Sequence, residues 1–176
     1  MNEKTLVTYA TRSGSTAGVA EAIARALREQ GAEQEVPYAV DLRPVKEVGS
    51  LDGYAAVVLG SAIKFGQLMP EMTQFVQKNQ AALSQKAVAV FAVHLMNLGA
   101  DETSRQNRLA YLAPLRGLVN LKKEAFFSGV GDWKKVPFVE GMIGRMVKAP
   151  TGDLRDWDAI RAWADELRAD GFAAKE

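Results

Sequence analysis

Short, almost wholly apolar stretches recur along the chain and predict the strands of a buried sheet. Lys4–Ala10, Ala55–Gly60 and Ala87–Val93 contain few or no charged residues and are rich in valine and alanine. Runs of this length without alternation of polar and apolar residues are typical of strands that are covered on both faces. Weaker patterns predict two more strands at Glu35–Leu42 and Glu124–Ser128.

Between these strands, apolar residues recur every three or four positions, which is the spacing of a helix with one buried face. In the first such stretch, Val19, Ile23 and Leu27 share a face, and Gly31 provides an end signal. The predicted helices are Ala17–Glu29, Glu71–Ala82, Glu102–Leu112 and Trp157–Ala169.

The last predicted helix has the most regular pattern. Asp156 precedes it as a cap and Gly171 follows it as a stop. We expect this helix to dock on the core through a single apolar stripe. The residues of that stripe are Trp157, Ile160, Trp163, Ala164 and Leu167.

The alternation of strands and helices predicts a three-layer α/β fold with a parallel sheet, formed by one domain over residues 1–176. In such sheets a ligand binds beyond the carboxyl ends of the strands, where the strand order reverses. The loops to consider therefore follow the first, third and fourth strands, at Thr11–Thr16, Ser61–Gly66 and His94–Gly99.

Composition excludes several kinds of chemistry. The 176 residues include no cysteine and a single histidine, His94, so thiolate catalysis, iron–sulfur clusters and Cys/His zinc sites are excluded and no metal site is expected. The formal charge of +1 gives no reason to expect nucleic-acid binding. The start of the chain carries Glu3 and Lys4 in a short apolar run, which is not a signal peptide, so we expect a cytoplasmic location.

The loop Thr11–Thr16, with sequence TRSGST, is suited to a phosphate monoester. Hydroxyl groups and free backbone N–H groups converge there at the positive end of a helix, and Gly14 allows the backbone to approach an anion closely. The loop matches neither GxxxxGK[ST] nor GxGxxG, which disfavours a nucleoside triphosphate or a dinucleotide. The alternative is a Ser/Thr helix cap that binds nothing.

The stretch TYATRSGSTAGVAEAIA resembles the FMN-phosphate loop of the flavodoxins. GSAIKFG at Gly60–Gly66 and GDLRDWDAIRAWADEL at Gly152–Leu167 resemble the branch that contains the menaquinone-dependent protoporphyrinogen IX dehydrogenases. The resemblance implies a flavodoxin-like sandwich with five parallel strands in the order 2-1-3-4-5, FMN as cofactor, and oxidoreductase activity.

By the same resemblance, two groups of residues hold FMN. The group expected around the phosphate is Thr11, Arg12, Ser13, Gly14, Ser15 and Thr16. The group expected to flank the isoalloxazine ring is Ser61, Ala62, Ile63, Lys64, Phe65 and Gly66, with His94, Leu95, Met96 and Asn97.

Three of these residues have structural alternatives. Lys64 is expected as a solvated surface lysine in preference to a flavin contact. Phe65 either stacks on the flavin or packs against a neighbouring helix. His94 is expected as a hydrogen-bonded loop residue in preference to a catalytic one.

The segment 131–152 is longer than an ordinary connection between a strand and a helix. It contains apolar residues at helical spacing (Phe138, Val139, Met142, Ile143, Met146 and Val147) and basic residues (Lys134, Lys135, Arg145 and Lys148).

In the protoporphyrinogen-oxidising relatives a comparable insertion is associated with activity, so this segment is a candidate for contact with porphyrin propionates, a quinone or the inner face of a membrane. The alternative, which we favour at this point, is a covering helix that completes the core with methionine as gap filler. Gly141 and Gly144 lower the helix propensity.

Two functions remain after this reading. The first is a quinone-linked enzyme of the protoporphyrinogen IX dehydrogenase type, with a porphyrinogen or quinone as its small-molecule redox partner. The second is an electron carrier that docks with a redox protein.

The near-neutral charge disfavours the carrier, which usually has an acidic docking face. The loop from His94 to Leu98 also lacks the tyrosine that commonly covers the flavin in carriers, which favours an enzyme. The oligomeric state is left open.

Overall fold

A parallel sheet forms the centre of the structure, a computed structural model that describes residues 4–31, 39–134 and 136–172. The strands are β1 (Lys4–Ala10), β2 (Val40–Pro44), β3 (Tyr54–Lys64), β4 (Gln67–Leu68), β5 (Ala87–His94), β6 (Lys123–Ser128), β7 (Val130–Gly131) and β8 (Gly152–Asp153). The helices are α1 (Ser15–Gly31), α2 (Pro70–Lys78), α3 (Gln80–Leu83), α4 (Glu102–Tyr111), α5 (Ala113–Arg116), α6 (Phe138–Met146) and α7 (Trp157–Ala169), with a 3₁₀ turn at Val45–Glu47.

The sheet has the predicted topology. Its five main strands lie in the order β2-β1-β3-β5-β6 and all pair in parallel. Because β4 is a two-residue strand that pairs only with β3, this is the order 2-1-3-4-5 for the five strands expected from the sequence. The predicted α/β sandwich is therefore confirmed. The strand order reverses between β1 and β3, so the loop after β1 and the hairpin after β3 start side by side at the same edge of the sheet.

Two cores lie on opposite faces of the sheet. Side chains of a parallel strand alternate between the faces, so Val58 and Phe91 contribute to the core under α1 and α7, while Val57 and Val90 contribute to the core under α2 and α5. Gly60 leaves room for the Phe91 ring, because a Cβ atom at position 60 would lie 2.1 Å from it. The apolar strands are thus covered on both sides, as their composition predicts.

Several boundaries differ from the sequence prediction. The predicted strand Glu35–Leu42 falls partly outside the described residues, and β2 continues to Pro44. The predicted helix Glu71–Ala82 is divided at Asn79, whose side chain donates to the Phe75 carbonyl at 2.8 Å. The predicted helix Glu102–Leu112 ends one residue earlier, and a short helix with Pro114 in its first turn follows it. In the two helices a local hydrogen bond or a proline overrides the continuing apolar pattern.

The predicted loop Ser61–Gly66 is largely strand. β3 continues through Lys64 because Ile63 and Lys64 pair with Leu68 and Gln67 of β4 in a hairpin. Only Phe65 and Gly66 remain as its turn.

Helix α7 has its predicted bounds. The Asp156 carboxylate accepts from the Ala159 N–H at 2.9 Å, and Gly171 at φ +80° follows the last turn. The predicted stripe is buried apart from Trp157, which is 44% exposed and has the Arg155 guanidinium 4.5 Å from its ring centroid. The first residue of the stripe therefore belongs to the surface.

Candidate functional site

The loop between β1 and α1 presents backbone N–H groups at the start of a helix. Gly14 has φ +93°, a left-handed conformation that glycine adopts without a Cβ penalty. The Gly14 N–H donates to the Thr11 hydroxyl at 3.0 Å, and the Gly18 N–H donates to the Gly14 carbonyl at 3.2 Å. Gly14 therefore caps α1, whose first residue is Ser15, and the N–H groups of residues 15–17 have no acceptor within the helix.

Thr16 is the residue of this loop whose side chain could meet a ligand's polar group. Its side chain is fully buried, and its Oγ1 has no hydrogen-bond partner within the described parts of the chain. A buried hydroxyl without a partner costs about 1–3 kcal/mol, so an acceptor supplied by a ligand would stabilise this hydroxyl. A phosphate ester at the helix start fits both this hydroxyl and the free N–H groups.

The hairpin between β3 and β4 forms the next part of the site. The buried Ser61 hydroxyl accepts from the Met69 N–H at 3.0 Å and donates to the Ala62 carbonyl at 2.9 Å. These bonds fix the hairpin, whose turn places Phe65 at φ +49° and Gly66 at φ +76°. Phe65 is 67% exposed, so it does not pack into a neighbouring helix, which was one of its two predicted roles.

His94 ends β5 and lies beside the aromatic ring of Tyr111. Its Nδ1 is 2.7 Å from the Met96 carbonyl oxygen. Because a carbonyl only accepts, this nitrogen carries the proton and Nε2 is the unprotonated nitrogen of the neutral ring. Burial lowers the pKa of His94 below its ordinary value, and the nearby Arg108 acts in the same direction, while the bond to Met96 opposes them. The ring is thus neutral near pH 7, in a buried, hydrogen-bonded position.

The loop after β5 is held from one side by α4. Asn97, at φ +59°, donates through its side chain to the Tyr111 hydroxyl at 2.6 Å. Arg108 donates to the carbonyls of Asn97 and Gly99. Tyr111 and Arg108 were not predicted as site residues, since in the sequence they belong to an ordinary helix pattern.

The long segment between β6 and α7 begins at strand β7 and ends at strand β8, and these two short strands pair with each other. Within it, α6 rests on Trp133 through its glycines: a Cβ atom at Gly144 would lie 2.6 Å from the Trp133 ring, and one at Gly141 would lie 2.9 Å from the Trp133 carbonyl. The Trp133 indole N–H donates to the Pro150 carbonyl at 3.2 Å. The two glycines that weaken the helix in isolation are therefore its buried contact face.

The apolar side chains of this segment are exposed. The prediction that they form a covering helix and fill the core is wrong, because the buried positions of α6 are the glycines. The exposed fractions are 81% for Phe138, 59% for Val139, 47% for Met142, 37% for Ile143, 77% for Met146 and 52% for Val147. We call these six residues the outer stripe.

One carboxylate connects α6 to the two loops. Glu140 Oε1 lies 2.6 Å from Arg12 Nη2 and 2.8 Å from Lys64 Nζ. Each of these three side chains is no more than one-third exposed. Lys64 is thus an ion-paired residue and not the solvated surface lysine expected from the sequence. We call Arg12, Lys64 and Glu140 the ion cluster.

A cavity of about 360 Å³ lies between these elements. The predicted residues that line it are Arg12, Ser13, Ser15, Ala62, Ile63, Lys64, Phe65, Gly66, His94, Leu95 and Met96. The predicted residues that are not among its lining are Thr11, Gly14, Thr16, Ser61 and Asn97. Lining residues that the sequence reading did not assign to the site include Met69, Tyr111, Trp133, Glu140, Ile143 and Gly144. The signals of this further wall in the sequence were the length of the segment 131–152 and its apolar and basic residues.

The part of the chain that the structure describes contains no group of three or more His, Cys, Asp or Glu side chains arranged to hold a metal ion. None of its helices combines the length and the apolar character that crossing a bilayer requires.

Comparison with known proteins gives related matches in sequence and in structure. The chain is 29% identical over 174 residues to protoporphyrinogen IX dehydrogenase [quinone] of Escherichia coli K12, covering 93% of this chain and 94% of that one. It is 28% identical over 149 residues to NAD(P)H dehydrogenase (quinone) of Methylocella silvestris, covering 73% and 74%. Oxidised flavodoxin 2 from Bacillus cereus has the same fold, with a TM-score of 0.55 and 19% identity over 95% of this chain and 99% of that one.

The family match covers most of the residues described above. The flavodoxin domain family matches residues 6–158, from the first strand to the start of α7. This range contains the loop after β1, the β3–β4 hairpin and the loop after β5. The chain belongs to the flavodoxin domain family.

Proposed function

We propose that this protein is an FMN-dependent oxidoreductase that oxidises a porphyrinogen and passes the electrons to a quinone. The observation that carries this proposal is the cavity, which extends from the hydroxyl-rich loop at Ser13 and Ser15 to Ile63, His94 and the wall formed by α6. Its volume of about 360 Å³ lies within the range of small-molecule sites. The relatives named as quinone-linked dehydrogenases support the choice of substrates.

The residues of the first loop fit the phosphate group of FMN. Thr16 offers an unpartnered hydroxyl, Ser13 and Ser15 add two more, and the N–H groups at the start of α1 provide uncharged donors. When bound, the flavin supplies the electron transfer. The chain's own residues bind the phosphate, hold the ring between the hairpin and the loop after β5, and limit the access of water.

The outer stripe is the proposed contact with a membrane surface that carries the quinone. Exposed basic residues accompany it, namely Lys134, Arg145 and Lys148, whereas the one acidic residue of α6, Glu140, is directed into the ion cluster. Exposed apolar side chains beside positive charge are suited to the interface of an anionic bilayer. The cavity shares Ile143 and Val147 with the outer stripe, so a quinone dissolved in the bilayer would reach the flavin without crossing bulk water.

The first experiment tests the cofactor through the buried hydroxyl. Thr16→Val should weaken FMN binding by about 1.5–3 kcal/mol, the value of one charge-assisted hydrogen bond, and should leave riboflavin binding unchanged, because riboflavin lacks the phosphate. Affinity is measured by quenching of flavin fluorescence.

Thr8→Val is the matched control, because the Thr8 hydroxyl is also buried with no partner among the described residues but lies within β1. Equal effects of the two substitutions, or colourless wild-type protein that takes up no FMN, would contradict the cofactor assignment.

The second experiment separates the enzyme from an electron carrier. The oxidised, FMN-loaded protein is mixed anaerobically with protoporphyrinogen IX, and bleaching of the flavin spectrum is followed. A menaquinone analogue is then added to restore the oxidised spectrum. Acceleration over free FMN in both steps is the expected result. Bleaching no faster than that of free FMN, with rapid exchange of electrons with a flavodoxin reductase, would assign the protein as a carrier.

A further inference from the structure

The ion cluster joins three segments that are far apart in the chain. Arg12 lies in the loop after β1, Lys64 ends β3, and Glu140 lies in the first turn of α6, 128 and 76 residues further on. All three line the cavity. A single carboxylate oxygen therefore connects the loop that would hold the phosphate, the hairpin and the long segment.

The two cations depend on this carboxylate to remain close together. Arg12 and Lys64 each contact the same oxygen, at 2.6 and 2.8 Å. Without Glu140, two positive charges would face each other in a partly buried position, where screening is weaker than in water. The charge-assisted bonds to Glu140 replace that repulsion by attraction.

Helix α6 has few other attachments. All six residues of the outer stripe are exposed, and of these only Ile143 and Val147 line the cavity, so the stripe provides little packing between the helix and the core. The glycine face rests on Trp133, which belongs to the same segment as α6 and not to the sheet. The bonds from Glu140 to Arg12 and Lys64 therefore tie the segment to the body of the domain.

We propose that Glu140 is a positioning residue of this site: it holds α6 in place as a wall of the cavity and fixes Arg12 and Lys64 at its edge. The positioning role stands on the geometry alone, and its effect on a flavin rests on the function proposed above. In this role Glu140 also neutralises part of the positive charge that would otherwise face the cofactor.

Hydrogen exchange of the full-length protein, without and with FMN, tests whether Glu140 holds α6 in place. Glu140→Gln keeps the shape of the side chain and removes its charge, so the amides of residues 138–146 should exchange about tenfold faster. Raising NaCl from about 0.05 to about 0.5 M should speed wild-type exchange in this segment, because salt weakens the attraction to Glu140. It should not speed exchange in the variant, where salt screens only the repulsion between Arg12 and Lys64. A role in packing alone would show no such salt dependence.

Glu166→Gln is the matched control. Glu166 lies on α7, pairs with Lys123 at 2.8 Å and is not among the residues that line the cavity. Its loss should leave exchange in 138–146 unchanged. Lys64→Met should give a smaller increase of about threefold, and combining it with Glu140→Gln should add nothing further, since both act on one cluster.

In FMN-loaded protein, Glu140→Gln should shift the midpoint potential in the positive direction, because the two cations then favour the negative charge of the reduced flavin. Unchanged exchange in 138–146 for Glu140→Gln, or additive effects in the double variant, would overturn the proposal. A potential that stays constant or becomes more negative would overturn its charge effect. Failure of the wild type to take up FMN would refute the proposed function, while the exchange experiments on the apoprotein would still decide the role of Glu140.

Discussion

Helices α6 and α7 carry similar apolar patterns but bury opposite faces. In α7, Ile160 and Leu167 are fully buried and pack in the core with α1. In α6, Phe138 and Met146 are among the most exposed apolar residues of the described chain, while Gly141 and Gly144 are buried. Both helices have apolar residues at a spacing of three to four.

The difference shows that apolar periodicity identifies a stripe but does not say what covers it. In α7 the stripe faces a sheet that has its own apolar side chains, and the helix is capped at Asp156. In α6 the helix approaches Trp133 so closely that only glycine fits. Glycines three positions apart in an apolar helix therefore indicate a close contact on their own side and leave the larger residues for another partner.

The largest expected effect is in α7. Leu167→Ala removes a fully buried side chain and should lower the free energy of unfolding by about 2–5 kcal/mol, through lost burial and the cavity left behind. Urea denaturation followed by circular dichroism measures the change. A loss below about 1 kcal/mol would mean that α7, like α6, is not part of the cooperative core.

The second prediction concerns the glycine face of α6. Gly144→Val would place a Cβ atom 2.6 Å from the Trp133 ring, and overpacking of this kind costs about 1–3 kcal/mol. The substitution should weaken the contact between α6 and Trp133. Trp133 fluorescence should therefore shift to the red, and the amides of α6 should exchange faster.

Gly117→Val is the control for that substitution, because a Cβ atom at Gly117 would meet only ordinary contacts, at 3.8 Å or more. If the two variants have the same fluorescence and exchange, the close contact between Trp133 and α6 is not present in solution.

The third prediction concerns His94, at the sheet side of the cavity. The free energy of unfolding should depend on pH through this residue, whereas the attachment of α6 should not. Burial lowers the pKa of folded His94, whereas the unfolded imidazole titrates near 6.5. Between these two values the unfolded chain binds more protons, so stability is complete above about pH 6.5 and falls as the pH decreases through that window. The loss at pH 5.5 relative to pH 7.5 is at most about 1.4 kcal/mol, which follows from the unfolded value alone.

Urea unfolding of the wild type and of His94→Asn at both pH values measures this contribution. The variant should lose part of the pH dependence, and α6 exchange should show no matching change, because His94 belongs to the sheet. An equal pH dependence in both proteins would mean that His94 is not buried in the neutral form.

Local sequence signals predicted the sheet, α7 and the loop after β1. Uninterrupted apolar runs such as Ala87–Val93 indicate burial on both faces, and Gly14 and Asp156 act through contacts within a few residues. These features depend on neighbours in the sequence, which a linear pattern records.

The α6 wall of the cavity could not be predicted in the same way. Glu140 meets Arg12 across 128 residues, and a lone glutamate in an apolar stretch has no pattern that names its partner. The continuation of β3 through Lys64 likewise depends on pairing with β4, a strand of only two residues. Long-range charge pairing and strand pairing decide these positions, and both require the folded arrangement.

The smallest expected effect on stability is on the outer stripe. Phe138→Ser combined with Met146→Ser should change the free energy of unfolding by no more than about 0.5 kcal/mol, because exposed side chains contribute little to folding. The same double variant should bind vesicles of anionic phospholipid about tenfold more weakly, since the lost apolar groups would otherwise enter the interface.

Leu109→Ser is the control, as Leu109 is an exposed apolar residue of α4 outside the cavity lining. A destabilisation of about 2 kcal/mol would mean that the stripe packs against the protein after all, and unchanged vesicle binding with intact stability would show that the membrane is not its partner.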